Sequence, residues 1–505
     1  MLNIVASFLS QTITLVLGII IPRLVLINLG SESNGLINSI NTVLTYVALL
    51  EAGVGTASLV ALYKPIALNN KEEINSILAA TDIFYKRSGR WYFIAVVILT
   101  FVFPLSIKST LPKWEVMSVT FLSGMPGVIS YYFQGKYQIL LRAEGKNYVL
   151  TNLTTIIHTA TSIAKIILLV CGWGIVALQC MYMAFNVIQV TFIMLYMKKN
   201  YSWIDLHATP NFPAISQSKN ALIHQVSGLI FNNTDTLILT YCCGLKLVSV
   251  YSMYTMLFGI ISTMISNFSG ANFILGQTYN TDKKRFIRLL DAYEIINMVL
   301  TFGLFCIANI FIIPFMQLYT SGVSDIDYID PRLPYLFILT YLLSNGRNSS
   351  SQVISYAGCF KETQWRSILE SVINITVSLT CVFRFGIYGV LIGTIAALLY
   401  RTNDMIIYAN KKILNRSPWK TYRRWLVNLA LFVAVTLLSK PIFAHISLDT
   451  YPKIILWAAI TCVVVIPLFF AVSSMFDRET YRYAKSIIAP YVQRFFHRFN
   501  KQSKD

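Results

Sequence analysis

The sequence predicts an all-α polytopic membrane protein of about fourteen transmembrane helices, with two six-helix bundles in parallel pseudo-repeat and two further C-terminal helices. Three observations predict it. Hydrophobic residues make up 55% of the 505 residues and charged ones only 12%, with mean hydropathy +0.60, against roughly 25% charged in soluble domains. Lys and Arg concentrate in alternate loops. Short patterns recur at an offset of 212 to 214 residues.

A spanning helix needs about 20 mostly apolar residues. Such stretches lie near 4–27, 35–62, 91–108, 116–135, 148–171, 175–197, 220–242, 247–270, 291–316, 334–356, 367–383, 387–409, 425–443 and 453–475. Nothing between them is long enough for a soluble domain. The first has no Lys or Arg before Arg23 and no small-residue cleavage site, so it is expected to stay in the protein. Residues 63–90 are expected to form a helix on the membrane surface, with Ile74, Ile77, Leu78, Thr81 and Tyr85 on one face. Pro22, Pro104, Pro126, Pro314 and Pro467 suggest kinks. The domain boundaries follow: bundles at 1–197 and 220–410, a cytoplasmic linker at 198–219 with Pro210 and Pro213, two added helices at 411–475, and a basic tail at 476–505. Within that tail, 486–505 is amphipathic and reads as an anchor on the cytoplasmic leaflet.

The formal net charge is +19, and its placement argues against nucleic acid. Loops 63–90, 136–147, 197–219, 271–290, 357–366, 410–424 and the tail hold 30 Lys and Arg, whereas the opposite loops hold six. The positive-inside rule puts the rich loops and both termini in the cytoplasm. None of the eight Cys forms a C-x-x-C pair, so neither a disulfide framework nor a zinc site is suggested.

The repeat rests on several weak matches in step. Leu29-Gly30 answers Cys243-Gly244, and Leu36–Ser39 answers Val250–Met253. Lys71–Ile74 answers Lys283–Phe286, and Gly174-Ile175 answers Gly386-Ile387. Six spans per half give the two repeats the same orientation.

No G-x-x-x-x-G-K-[ST], H-E-x-x-H or G-x-S-x-G occurs, so no ATP site, metalloprotease site or nucleophile elbow is expected, and no enzyme activity or cofactor is assigned. Asp325 and Asp327 form a D-x-D in a short outside loop, read as an exposed acidic loop rather than a metal site. Charges inside spans cost on the order of 2.5–3.5 kcal/mol each at mid-helix, so each should face a partner or a watery cavity. The candidates are Arg23, Glu51, Lys165, Asp235, Arg347, Glu370 and Arg401. Arg401 and Lys440 lie near interfaces and are expected to snorkel. Arg347, flanked by Asn345, Asn348 and three serines, is expected to face a polar cavity. For Glu51 and Asp235 the sequence leaves open an interhelical salt bridge or a substrate or ion role, and Lys165 is equally open.

The pattern Pro22-Arg23, Leu29-Gly30, Gly35-Leu36 and Glu51-Ala52-Gly53 resembles the first hairpin of polysaccharide flippases in the multidrug/oligosaccharidyl-lipid/polysaccharide exporter superfamily. So does Asn233-Thr234-Asp235 with Gly244 and Val250-Tyr251-Ser252 after it. The resemblance covers roughly residues 1–410. It implies two six-helix bundles around a cationic cavity that moves an undecaprenyl-diphosphate-linked oligosaccharide (O-antigen or capsule repeat units) between leaflets of the bacterial cytoplasmic membrane. Arg23, Arg347 and Lys165 would contact substrate, and Glu51 and Asp235 would couple Na+ or H+ or form salt bridges. The implied partners are that lipid-linked substrate, membrane lipids, a polysaccharide polymerase and a chain-length regulator. This chain has Glu51 where Asp is more usual, which puts that acid's role in doubt. Lipid II flippases share the fold but carry more first-half arginines. The rival readings are a multidrug antiporter of the same superfamily and an integral-membrane glycosyltransferase or polymerase.

Overall fold

Apolar stretches in lipid must satisfy their backbone hydrogen bonds internally, and among the described residues this chain does so with helices alone. The structure is a computed structural model. It describes residues 2–51, 54–215, 219–267 and 271–486, without the side chains of 2–10, 50–51, 219–224, 267 and 271–273. The helices are α1 (Leu2–Val47), α2 (Val54–Ala67), α3 (Lys71–Ser106), α4 (Lys113–Ile129), α5 (Gly135–Ala143), α6 (Asn147–Val170), α7 (Ile175–Asn200), α8 (Lys219–Cys242) and α9 (Leu245–Asn267). They continue with α10 (Ala271–Thr281), α11 (Lys283–Tyr319), α12 (Leu333–Gly346), α13 (Asn348–Tyr356), α14 (Phe360–Phe385), α15 (Ile387–Tyr408), α16 (Trp419–Phe443) and α17 (Tyr451–Phe476). Among the described residues, eleven helical stretches are each long and apolar enough to cross a membrane. The protein is an all-α, multi-pass membrane protein.

Several predicted spans are joined or broken. α1 is two helical segments meeting at Gly30, whose φ of +81° only glycine adopts readily. Gly244, its partner in the repeat, has φ +92° in the turn between α8 and α9. The second span leaves α geometry at Ala48–Glu51, a 3-10 turn. The fourth contains a π turn at Ser130–Gln134, between α4 and α5. The prolines at 22, 104, 126, 314 and 467 all lie inside helices.

The repeat is visible in helix capping. Asn70 Oδ1 accepts from Glu73 N at 3.2 Å to open α3, and Asp282 Oδ1 accepts from Arg285 N at 3.0 Å to open α11. These N-cap residues stand at the same sequence offset as the Lys71 and Lys283 runs they precede. Each satisfies a donor that the first helical turn would leave bare.

The expected surface helix at 63–90 is corrected. Residues 71–90 are the first turns of α3, continuous with the third span, and Ile74, Ile77, Leu78, Thr81 and Tyr85 are all buried in the core. Their periodic face finds protein, so they have no need of lipid.

The chain divides into two compact units. The first comprises Met1–Met253, Gly322–Asp327 and Ser367–Val390. In it α1 packs on α6 and α8, α3 on α4, and α2 on α3 and α5. The second comprises Tyr254–Ser321, Tyr328–Arg366 and Leu391–Asp505. It is built on α11, which packs against α12, α16 and α17. Trp425 of α16 lies so close to Gly346 that a Cβ there would meet its ring at 2.0 Å. The predicted amphipathic anchor at 486–505 lies outside the described residues apart from Ser486.

Candidate functional site

Asp235 sits on α8, 3% exposed. Its carboxylate accepts from Tyr251 Oη at 2.9 Å and from Asn374 Nδ2 at 3.3 Å. One residue earlier, Thr234 shares a 3.1 Å hydrogen bond with Tyr46 of α1, whose hydroxyl also donates to Ile230 O at 3.2 Å. A buried carboxylate needs such donors in place of the water it has lost.

Lys165 on α6 is half-buried, and its ammonium lies 4.9 Å from the centre of the Tyr182 ring. It has no carboxylate partner among the described residues. Arg23 is half-buried on α1 in the same unit. Glu51 ends the 3-10 turn, and its side chain lies outside the described residues.

Arg347 belongs to the second unit, where the tenth apolar stretch breaks between α12 and α13. It is half-buried between buried Asn345 and Ser349. Asn345 accepts from Ser262 Oγ at 3.0 Å through its side chain and from Asn297 Nδ2 at 3.2 Å through its carbonyl. Glu370 is 6% exposed. The expected snorkelling of Arg401 is overturned. It is 2% exposed and its Nη1 pairs with Asp404 Oδ2 at 2.7 Å, and Asp404 also takes Arg366 at 2.5 Å. A carboxylate within one turn serves the guanidinium better than a reach to the interface. Lys440 is exposed as expected.

A polar seam runs along one end of the first unit, through turns predicted to lie outside. Asp325 accepts from both Ser31 N at 3.0 Å and Ser31 Oγ at 2.7 Å, capping the segment of α1 after Gly30. Glu32 accepts from Thr110 N at 2.6 Å and from the Thr110 hydroxyl. Asn34 Nδ2 donates to Ser249 Oγ at 2.8 Å and to Ser252 Oγ at 3.3 Å, and Ser39 shares a 2.7 Å hydrogen bond with Thr240. Asp325 thus serves as a cap, and among the described residues no acid–His–Cys group could hold a metal.

A cavity of about 440 Å³ opens elsewhere in the first unit, where two spans leave α geometry. The 3-10 turn contributes Ala48 and Leu49, and the π turn contributes Ser130 and Tyr131. Thr56, Gln138, Gln225 and Arg142 also line it. No Asp or Glu lines it among the described residues.

Sequence reasoning missed a dense cluster of buried ion pairs in the second unit. Arg424 of α16 binds Glu294, reaches Asp291 Oδ1 at 3.1 Å and binds Asp477 Oδ2 at 2.6 Å. Arg416 and Lys420 each reach Asp291 at 2.7 Å. Asp477 follows α17. Burial pushes its carboxyl up, but hydrogen bonds from Arg424 and Thr480 hold it below the usual carboxylate value. The first unit holds a smaller version, Asp82 with Lys136 and with Lys86 at 2.8 Å. Asp82 and Glu294 occupy matching repeat positions. The sequence signal is the pair of acids at the start of the ninth span, Asp291 and Glu294, together with the basic loop at 410–424.

No family model matches the chain, and no curated protein matches it by sequence. Solved structures do. A lipid II flippase, MurJ, in an inward closed conformation is similar with TM-score 0.67 and 13% identity, covering 94% of this chain and 98% of that one. A multidrug resistance MATE family transporter of the MOP superfamily is similar in its inward-facing form with TM-score 0.61 and 15% identity, covering 80% of this chain and 95% of that one. An outward-facing MATE transporter gives 0.55 and 15%, covering 81% and 94%. The chain has the fold of MOP superfamily transporters and flippases.

Proposed function

We propose that this protein is a flippase that carries undecaprenyl-diphosphate-linked oligosaccharide repeat units across the bacterial cytoplasmic membrane by alternating access, for cell-surface polysaccharide export. The observation that carries the reading is the end-to-end likeness to a lipid II flippase, 94% of this chain against 80% for the inward-facing MATE transporter. That protein is a flippase of lipid II, so its cargo is a lipid. In this reading the bundles at 1–197 and 220–410 alternate about the linker at 198–219, with both termini cytoplasmic. Arg23, Arg347 and Lys165 meet the diphosphate or acidic sugars, for which a guanidinium fork gives charge-assisted, bidentate bonds. Glu51 and Asp235 couple an Na+ or H+ gradient, since no ATP site is present in the sequence. The seam from Ser31 to Ser39 is the closure that must open on the outer side. A polymerase and a chain-length regulator are the expected downstream partners.

A multidrug antiporter is the second reading, favoured by the MATE likeness. It requires carboxylates to meet cationic drugs, and among the described residues the charged group lining the cavity between the 3-10 and π turns is Arg142.

The test is translocation of a labelled undecaprenyl-diphosphate oligosaccharide in proteoliposomes. Wild type should flip it and the Arg23→Ala, Arg347→Ala double variant should not. Equal rates for wild type, double variant and empty liposomes, together with drug resistance on overexpression, overturn the flippase in favour of the antiporter.

A further inference from the structure

We infer that the cavity of the first unit is a binding site for a sugar phosphate, with the saccharide held by Thr56, Gln138 and Gln225 and the phosphate by Arg142. The inference deepens the flippase reading and rests on it for the identity of the carrier, whose phosphate-proximal sugar is the proposed ligand.

Hydrogen-bonding capacity is the first argument. Thr56, Gln138, Gln225 and Arg142 all line the cavity, and none of their side chains has a hydrogen-bond or ion-pair partner among the described residues. Each amide offers two donors and an acceptor, and the hydroxyl one donor and two lone pairs. That is the mixed complement a sugar's hydroxyl and acetamido groups present, and a poor match to an apolar drug, whose pockets are mostly hydrophobic with few polar groups.

Charge is the second. One guanidinium with no acid among the described lining selects an anion. Its planar fork reads two phosphate oxygens at once.

Backbone geometry is the third. π turns occur mostly as single-turn bulges and are frequent at functional sites. Here the π turn at Ser130–Gln134 and the 3-10 turn at Ala48–Glu51 both contribute to the lining. In the same π turn Gln134 is 3% exposed, with its Oε1 buried and without a hydrogen-bond partner. The wall behind is closely packed. Tyr85 lies against Gly135, where a Cβ would meet its ring at 2.7 Å, and Tyr131 packs between Tyr85 and Tyr92 with ring centres 5.9 and 5.2 Å apart. A preformed wall lowers the ordering cost of binding.

Calorimetry on the full chain in phosphatidylcholine nanodiscs tests this with N-acetylglucosamine 1-phosphate, N-acetylglucosamine and inorganic phosphate. The sugar phosphate should bind saturably and more tightly than either fragment. Arg142→Gln should weaken it roughly tenfold or more, the size of a lost charge-assisted bond, and leave the neutral sugar unchanged. Gln138→Leu and Thr56→Val, checked for an unchanged thermal midpoint, should weaken both sugar ligands. Unchanged affinity in Arg142→Gln and Gln138→Leu overturns the site. Inorganic phosphate binding as tightly as the sugar phosphate reduces it to a bare anion site and also overturns it. Loss of the Arg142-dependent signal in phosphatidylglycerol nanodiscs overturns it in favour of a lipid headgroup. Wild type that flips lipid-linked oligosaccharide without Arg142-dependent binding sinks this inference alone. Arg142-dependent binding by a protein that does not flip supports the site and sinks the flippase reading alone.

Discussion

Gly35 of α1 lies so close to Leu245, the first residue of α9, that a Cβ at position 35 would meet the Leu245 carbonyl oxygen at 1.9 Å. The contact is backbone on backbone, so no side chain can swing aside. It sits in the middle of the seam that Asn34 and Ser39 make with Ser249 and Thr240. Gly35→Ala should push α1 off α9 at an overpacking cost of roughly 1–3 kcal/mol. Labelling of Cys242 and Cys243, half-buried at the adjoining turn, by a membrane-impermeant maleimide should rise. Gly228→Ala, where nothing lies within 4 Å of the added methyl, should leave labelling unchanged. Equal labelling in wild type and Gly35→Ala would show that this contact does not hold the seam.

The Arg424 cluster gives a second prediction. Removing one partner of a buried ion pair strands the others, at a cost of about 3–5 kcal/mol, whereas replacing both partners by apolar residues is often neutral. Glu294 is 2% exposed and Arg424 5%. Arg424→Met should lower the thermal midpoint sharply, and the Arg424→Met, Glu294→Met double variant should recover much of the loss. A double variant as unstable as the two single variants added together would mean that the residues act independently.

Asp477 makes the same cluster sensitive to acid. Its folded pKa lies below the ordinary carboxylate value because Arg424 and Thr480 hydrogen-bond the ionised form against the upward push of burial. A depressed carboxyl contributes stability that is fully present above the unfolded value of about 3.9 and is lost as pH falls through the folded value. Wild type should therefore be more stable than Asp477→Asn at neutral pH, and the gap should close in acid. A gap that stays constant from pH 7 to pH 3 would remove Asp477 from the linkage.

The helices were legible in the sequence because a lipid-facing helix must be apolar along its length, and that constraint is written residue by residue. The repeat was legible through the runs at Lys71 and Lys283, and the caps at Asn70 and Asp282 agree with it. What the sequence hid depends on which helix a face meets. The face of Ile74, Leu78 and Tyr85 has the same periodicity whether it meets lipid or protein. Arg401 looked like an interfacial cation because its answering acid, Asp404, lies one turn beyond it. The polar groups Thr56, Gln138, Arg142 and Gln225 of the cavity come from α2, α5 and α8, far apart in sequence, and are unremarkable singly.

Asp235 separates a structural role from a coupling role. Leu at this position would strand the donors on Tyr251 and Asn374, at roughly 1–3 kcal/mol for each buried group left without a partner. Asn keeps one of the two accepting oxygens, turns the other into an NH2 whose proton the Tyr251 hydroxyl can accept by rotating, and removes the charge. Asp235→Asn should keep its thermal midpoint while its transport no longer responds to an imposed Na+ or H+ gradient. A gradient response like that of wild type would make Asp235 a structural acceptor only.

Lys165 carries the last prediction, because its position is costly unless it is used. An ammonium on a membrane-embedded helix costs on the order of 2.5–3.5 kcal/mol at the centre. The Tyr182 ring 4.9 Å away returns only about 0.5–2 kcal/mol of that. The common remedy, a carboxylate within ion-pair distance, is absent among the described residues. Lys165→Met keeps the length of the side chain and removes the charge, so it should fold at least as stably as wild type. If the cation meets the substrate diphosphate, the same variant should transport more slowly, and Lys165→Arg should restore part of the rate because charge, not shape, is what the phosphate needs. A midpoint that rises while transport falls identifies a charge kept for substrate. A midpoint that rises with transport unchanged assigns Lys165 to neither substrate nor fold.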